Sequence, residues 1–254
     1  MELTNKTIII IGASSGIGKQ VARLLSHRNN NIVVLARREN LLTSLAEEIT
    51  RNGSQCLPIA ADALSAEAME AAVQLTVETF GTIDVALINV GDGPSFDMAS
   101  ATAEPVLHNM AINYSTLVYG LLPLIAVMKQ QKQGLIAHTN SLAGFLGLPR
   151  QGPYSAAKAA GRILIDTCRI ELAPWNIKFL SLYPGFVATE RVSDDGIPSL
   201  FEISETAAAK HMVHAMEKEK HDYLFPFSLR WLIRLARILP KSVVARMTQK
   251  MMND

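Results

Sequence analysis

Tyr154 and Lys158 stand four residues apart in Tyr154-Ser155-Ala156-Ala157-Lys158, a spacing that puts a phenol and an ammonium on one face of a helix. A phenol releases its proton near pH 10, too high for useful proton exchange at neutral pH, and a neighbouring cation lowers that value by favouring the phenolate. The pair reads as a proton donor and acceptor tuned by its own ammonium; the same motif taken alone also fits an amphipathic surface pair. Ser141 precedes the tyrosine by 13 residues and directly follows a strand expected at 135–139. Carboxyl ends of strands are where ligands sit in open α/β sheets.

A second group of residues concerns anions. Gly12-Ala13-Ser14-Ser15-Gly16-Ile17-Gly18 lies between the first expected strand and the first expected helix. There a glycine-rich turn lets backbone amides and a helix N-terminus meet a pyrophosphate, although an ordinary tight turn also uses glycines. Some twenty residues on, where a carboxylate would hold an adenosine ribose, the second strand ends in Leu35-Ala36-Arg37-Arg38. Guanidinium groups match a 2′-phosphate by charge and by paired donors, which predicts NADP rather than NAD; two solvated arginines at a helix entrance are the plainer alternative.

These groups need a scaffold that gathers strand ends. Apolar, β-branched runs at 8–11, 32–35, 56–60, 85–89, 135–139 and 178–182 alternate with helical periodicity at 17–25, 41–49, 65–80, a long apolar stretch ending near 133, and 154–173. The alternation predicts an α/β fold: a Rossmann-type, doubly wound parallel sheet in three layers. One domain over 1–225 carries a basic amphipathic helical extension over 226–254. The segment 184–204 has weak periodicity and reads as a loop with a short helix, a candidate lid.

Composition narrows the function classes. With 254 residues, 49% hydrophobic and 19% charged, the chain has material for a sizeable core and too little charge for disorder. A net charge of +1 provides no general attraction to a polyanion, so nucleic acid is not expected as a partner. Cys56 and Cys168 stand far apart and read as buried thiols of a cytosolic protein. No metal site is expected, because the histidines, including His211 and His214, lack evident partner ligands. The start of the chain has no signal-peptide pattern, and the longest apolar stretch, 117–128, is interrupted by Gly120 and Pro123 and falls short of a membrane span.

The GxxxGxG spacing, with Tyr-x-x-x-Lys and the serine before it, resembles the short-chain dehydrogenases/reductases of the classical type. The resemblance runs from Gly12 to Thr189, about three quarters of the chain. It implies reversible hydride transfer between a nicotinamide, NADP (NADPH) before NAD, and a carbonyl or secondary alcohol carbon. Tyr154 would exchange the proton, Ser141 hold the substrate oxygen, and Lys158 hold the nicotinamide ribose and acidify the tyrosine. Asn113 would order a relay water. By the same resemblance Asp62 and Ala63 lie near adenine, and Asn89-Val90-Gly91 runs along the cofactor. Pro184, Gly185, Val187 and Thr189 then contact its nicotinamide and phosphates. Ile11 stands where the family usually has threonine and Val90 where alanine is usual. Dimers or tetramers through the long helices are implied too. A cofactor-binding sensor or scaffold without turnover is the competing class, disfavoured by the presence of Tyr154, Lys158 and Ser141.

The tail carries its own signal. Residues 226–254 hold six basic residues against Asp254, a net +5 in a chain of net +1. Arg230, Arg234, Arg237 and Lys241 fall on one stripe of a helix, with Trp231 and several leucines supplying apolar surface. Such a helix suits an anionic headgroup layer, and equally a helix packed on its own domain or on another subunit. The expectation is a cytoplasmic protein with peripheral membrane contact at the inner surface through this tail. Its substrate is expected to be a small apolar or lipid-like carbonyl or alcohol. Co-sedimentation with anionic vesicles separates the two readings of the tail.

Overall fold

The computed structural model describes residues 1–188, 202–226, 231, 238–240 and 242–246. Seven strands form one parallel sheet in the order β3-β2-β1-β4-β5-β6-β9. They are β1 (Thr7–Ile11), β2 (Asn31–Ala36), β3 (Gln55–Ala60), β4 (Val85–Ile88), β5 (Gly134–Thr139), β6 (Ile177–Pro184) and β9 (Asp222–Phe225). The first six match the expected runs. The seventh was not read from the sequence: Asp222-Tyr223-Leu224-Phe225 is too short and mixed to stand out, and only its pairing with Ser181–Pro184 of β6 makes it a strand.

Central strands are mostly apolar because helices cover both faces. All five residues of β1 are buried. Ile8, Ile10, Val34, Val85 and Leu180 face one layer, where they meet Val21 and Leu25 of α1 (Gly16–Leu25) and Leu42 and Leu45 of α2 (Glu39–Arg51). Met212 and Met216 of α7 (Glu205–Glu217) complete that layer. Ile9, Ile11, Ile88, Ile136 and Phe179 face the other. They meet Met69 and Val73 of α3 (Ala66–Phe80), Leu117, Leu121 and Leu124 of α5 (Thr116–Gln131), and Ile165 of α6 (Gly152–Glu171). Burying one such side chain contributes roughly 1.5–3 kcal/mol. β3 and β9 are the exceptions to two-sided burial, since they form the two sheet edges and carry exposed and half-buried residues.

The long apolar stretch is a composite helix. α4 (Ala103–Met110) passes into a wider π-type turn at Ala111–Ser115 and then into α5. The whole run, Ala103–Gln131, has 29 residues and contains an 18-residue window of mean hydropathy 1.6, long and apolar enough to cross a membrane by those measures alone. In the fold its buried side, Leu117, Leu121, Leu124 and Met128, lies in the core beside α3 and α6. The expected 184–204 segment is pinned at both ends by a two-stranded parallel pair, β7 (Val187–Ala188) with β8 (Ile203–Ser204); residues 189–201 lie outside the described residues. The basic stripe, Arg230, Arg234, Arg237 and Lys241, lies outside them too.

Candidate active site

The sheet reverses its winding between β1 and β4, and the carboxyl ends of those strands with β5 form one cleft. Gly12 opens the turn after β1 with φ of +89°, a region open to glycine. A Cβ on Gly18 would lie 2.2 Å from the Gly12 carbonyl oxygen and 2.8 Å from Asn89 Nδ2. These glycines therefore let turn, helix and β4 end close against one another. Ser15 precedes α1 in extended backbone without a side-chain cap, and no acidic residue lies in the first turn. The positive end of α1, with Gly16, Ile17 and Gly18 in its first turn, is left facing the cleft.

Arg38 leans over this turn, donating from Nη2 to Ser15 Oγ at 2.6 Å and to Ser14 Oγ at 3.0 Å. Arg37 beside it is exposed. Neither arginine forms an ion pair among the described residues, so both charges are available to an anion here. Asp62 is exposed, and its Oδ1 accepts from the Leu64 amide at 3.0 Å in a local turn, while Ala63 is buried. That bond is the helix-entry role. The glycine cradle, bare helix end and unpaired guanidiniums together fit an anionic dinucleotide.

Asn89 ties three strand ends together: Nδ2 donates to the Gly12 carbonyl at 3.2 Å, and Oδ1 accepts from Thr139 Oγ1 at 2.8 Å. Its contribution is thus made through its side chain. Gly91 follows where a Cβ would sit 2.9 Å from both Lys158 Nζ and Asn113 Oδ1. Asn113, wholly buried in the π-type turn, clamps the main chain of Asp92, accepting from its amide at 3.1 Å and donating to its carbonyl at 2.7 Å. On the far side β6 ends at Pro184, the Gly185 amide donates to Phe225 O at 2.8 Å, and Val187 is buried in β7. Thr189 lies outside the described residues.

Tyr154, Ser141 and Lys158 converge at the end of β5. The Ser141 hydroxyl lies close enough to the phenol of Tyr154 to favour its ionised form. Lys158 is 2% exposed, its ammonium 5.6 Å from the centroid of the tyrosine ring and donating to the Thr139 carbonyl at 3.0 Å. Asn140, a residue the sequence reading passed over, organises both partners. Its Oδ1 accepts from the Ser141 amide at 2.8 Å and its Nδ2 donates to the Lys158 carbonyl at 3.0 Å. Polar Thr139-Asn140 at the end of an apolar strand was the available signal. Asp92 and Asn109, which donates to the Asp92 carbonyl at 3.0 Å, gave none.

Burial pushes the Tyr154 phenol above its ordinary value; the Ser141 hydroxyl beside it lowers it, and the carboxylate of Asp92 raises it again. Burial also pulls the Lys158 ammonium down to about 8, which leaves it charged at neutral pH. This bears on stability. Below pH 8 the ammonium is charged in folded and unfolded chains alike, and its burial costs free energy. As pH rises from 8 to 10.5 the folded chain sheds the proton first, and stability grows by on the order of 3 kcal/mol. Urea unfolding of Lys158→Met should lose this rise between pH 8 and 10.5; an unchanged pH dependence would count against the buried ammonium.

Residues 6–197 match the short chain dehydrogenase family. The chain is 30% identical over 211 residues to an uncharacterised oxidoreductase of Listeria monocytogenes, covering 80% of this chain and 85% of that one. It is 31% identical over 201 residues to an L-rhamnose 1-dehydrogenase (NAD(P)(+)) of Azotobacter vinelandii, covering 77% and 78%. Among solved structures, an alcohol dehydrogenase of the archaeon Thermococcus sibiricus, complexed with 5-hydroxy-NADP, superimposes with a TM-score of 0.78 at 26% identity, covering 87% of this chain and 95% of that one. With its seven-stranded Rossmann-type sheet and its tyrosine, lysine and serine gathered at one strand end, the chain belongs to the short-chain dehydrogenase/reductase family.

Proposed function

We propose that this protein is an NADPH-preferring oxidoreductase that interconverts a carbonyl and a secondary alcohol on an apolar substrate. The observation that carries the reaction class to these particular residues is the gathering of the Ser141 and Tyr154 hydroxyls at the end of β5, with the Lys158 ammonium 5.6 Å from the centroid of the tyrosine ring. A nicotinamide dinucleotide, when bound, supplies or accepts the hydride. The chain does the rest. Ser141 and Tyr154 present two hydroxyls to one oxygen; in reduction Tyr154 releases its proton to that oxygen as negative charge develops, and Ser141 stabilises the charge. Lys158 lies where it can hold a ribose hydroxyl and return the proton. Asn113 positions the 91–93 loop that lines the same cleft. The glycine turn and the end of α1 hold the pyrophosphate, with Asp62 and Ala63 toward the adenine and Pro184, Gly185, Val187 and Thr189 toward the nicotinamide.

NADP is favoured by Arg38, whose guanidinium is held over the phosphate turn by two serine hydroxyls without a carboxylate to neutralise it. Apolar substrate is favoured by the surface next to the cleft, where Phe96, Met98, Leu148 and Pro149, with Asp97 and Arg150 among them, line an open groove of about 460 Å³. Exposed Leu122, Ile163 and Ile170 on α5 and α6 suit a homodimer or homotetramer through those helices. Exposed Trp231 and Ile238, with the +5 charge of 226–254, suit contact of that tail with an anionic membrane.

Cofactor oxidation followed at 340 nm across a panel of long-chain and short ketones tests the reading. Wild type should reduce apolar ketones with NADPH in preference to NADH. Arg38→Ala should lower kcat/KM for NADPH by about 10- to 100-fold and leave NADH within about 3-fold, the value of charge-assisted bonds to a phosphate. Equal efficiency of wild type with both cofactors removes the NADP assignment. Failure with every ketone removes the function.

A further inference from the structure

Four side-chain atoms among the described residues are buried without a hydrogen-bond partner: both ring nitrogens of His138, Ser181 Oγ and Arg162 Nε. Native proteins rarely strand such atoms, and where they do a bound water commonly serves them. Here all four belong to neighbouring parts of the fold, β5, β6 and the α6 helix that carries Tyr154 and Lys158.

The register makes a row of them. His138 of β5 is aligned with Ser181 of β6, and Ser181 with Asp222 of the edge strand β9. Residues at one level of adjacent parallel strands put their side chains on the same face, about 4.8 Å apart from strand to strand. His138 is 1% exposed and Ser181 wholly buried, whereas the Asp222 side chain is 47% exposed. The Tyr183 hydroxyl, two residues along from Ser181, donates to Asp222 Oδ1 at 3.3 Å. At the inner end, Thr139, next to His138, accepts the Lys158 ammonium. Gly161 leaves the space for the imidazole, since a Cβ there would come within 3.0 Å of His138 Cε1. A polar line thus leads from beside the catalytic ammonium, beneath α6, to a carboxylate at the edge of the sheet.

We propose that His138, Ser181 and Asp222, bridged by internal water and flanked by Tyr183, form a lateral proton path between Lys158 and bulk solvent, resting on the oxidoreductase reading above. In alcohol oxidation the substrate O–H bond breaks to Tyr154 and the proton passes to Lys158. Water bridging to His138 takes the ammonium proton on one side while the other ring nitrogen, having held a proton, releases it toward Ser181. The proton leaves through water at Asp222. Each transfer breaks one N–H or O–H bond and forms another, so the only oxidation and reduction is the hydride transfer itself. Reduction runs the same line inward. His138 suits the part because burial and the nearby Lys158 charge keep its ring neutral, with one nitrogen to accept and one to donate.

The test uses the full-length protein with NADPH and any ketone that wild type reduces, and compares His138→Leu, Ser181→Ala and Asp222→Asn. Loss of a relay should lower kcat by about 10-fold in His138→Leu and less in the other two, with KM, NADPH affinity and unfolding midpoint near wild type. The solvent isotope effect on kcat should rise and the isotope effect of 4-deuterated NADPH fall, which a merely structural role would not produce. His138→Gln, which keeps polar atoms at the site, should recover part of the rate. Should His138→Leu fail to fold, the Ser181 and Asp222 variants carry the same readouts. Unchanged turnover and solvent isotope effects in the variants overturn the path, as does a high-resolution crystal structure with no water between His138 and Ser181. Absence of hydride transfer in wild type would instead overturn the oxidoreductase reading, while the crystallographic result would still decide whether the row is hydrated.

Discussion

Tyr154→Phe is expected to lower kcat by about 10³-fold or more while NADPH affinity stays within about 3-fold of wild type. The substitution removes a single oxygen. The ring still fills the first turn of α6, and Lys158 keeps its bond to the Thr139 carbonyl and its place under the 91–93 loop. What disappears is the hydroxyl beside Ser141, and with it the proton proposed to reach the substrate oxygen. Because phenol and serine act on one oxygen, Ser141→Ala added to Tyr154→Phe should cost little more, in the manner of groups that work as a unit. Steady-state rates with a fixed ketone, and NADPH titration by its fluorescence, check both halves. Turnover near wild type would take the proton transfer away from Tyr154.

The raised phenol of the protein alone bears on direction. A tyrosine that holds its proton at neutral pH is ready to give it, which suits carbonyl reduction, and it must be ionised to assist alcohol oxidation. Oxidation rates should therefore climb with pH over a range in which reduction rates do not.

Gly18→Ala is expected to be the most damaging change outside the catalytic group. Its methyl would meet the Gly12 carbonyl oxygen at 2.2 Å, and the obstacle is backbone that itself sits at φ of +89°, with Asn89 Nδ2 at 2.8 Å behind it. No rotamer change relieves that contact, so the turn must open and the end of α1 must swing from the cleft. Overpacking of this severity costs about 3 kcal/mol, or roughly 10 °C in the unfolding midpoint of a chain this size. NADPH affinity should fall by at least about 100-fold, since amides and helix end lose their common focus. Calorimetry with and without NADPH measures both, and a variant that binds NADPH as tightly as wild type would contradict the role of this turn.

Residues that act through neighbours in sequence were legible in advance. The Gly12–Gly18 turn, the Tyr154 and Lys158 spacing and six of the seven strands of the main sheet all follow from local periodicity or local backbone demands, and the structure places them as the pattern says. Residues that act across the sheet were not. Asn140 joins Ser141 to Lys158 through a segment 18 residues away, and Asn89 bridges strand ends 50 and 77 residues distant. Nothing in their immediate surroundings announces such bonds. β9 needed its partner before it could be a strand, since a four-residue run gains its backbone bonds only from β6.

By itself, then, the amino-acid order determined the doubly wound sheet and the resemblance that implies the reaction class, because apolar periodicity and the short spacings of glycine, tyrosine and lysine are properties of the chain over one or two turns. Tertiary structure alone decided the electrostatic setting of the site and the row beneath it. How far each group departs from its ordinary value depends on how much water reaches it, and burial, a sum over distant segments, lowers the Lys158 ammonium to about 8 and raises the Tyr154 phenol. His138, Ser181 and Asp222 are unremarkable in sequence and become a line only when three parallel strands align them, since register is settled by pairing between strands that lie tens of residues apart.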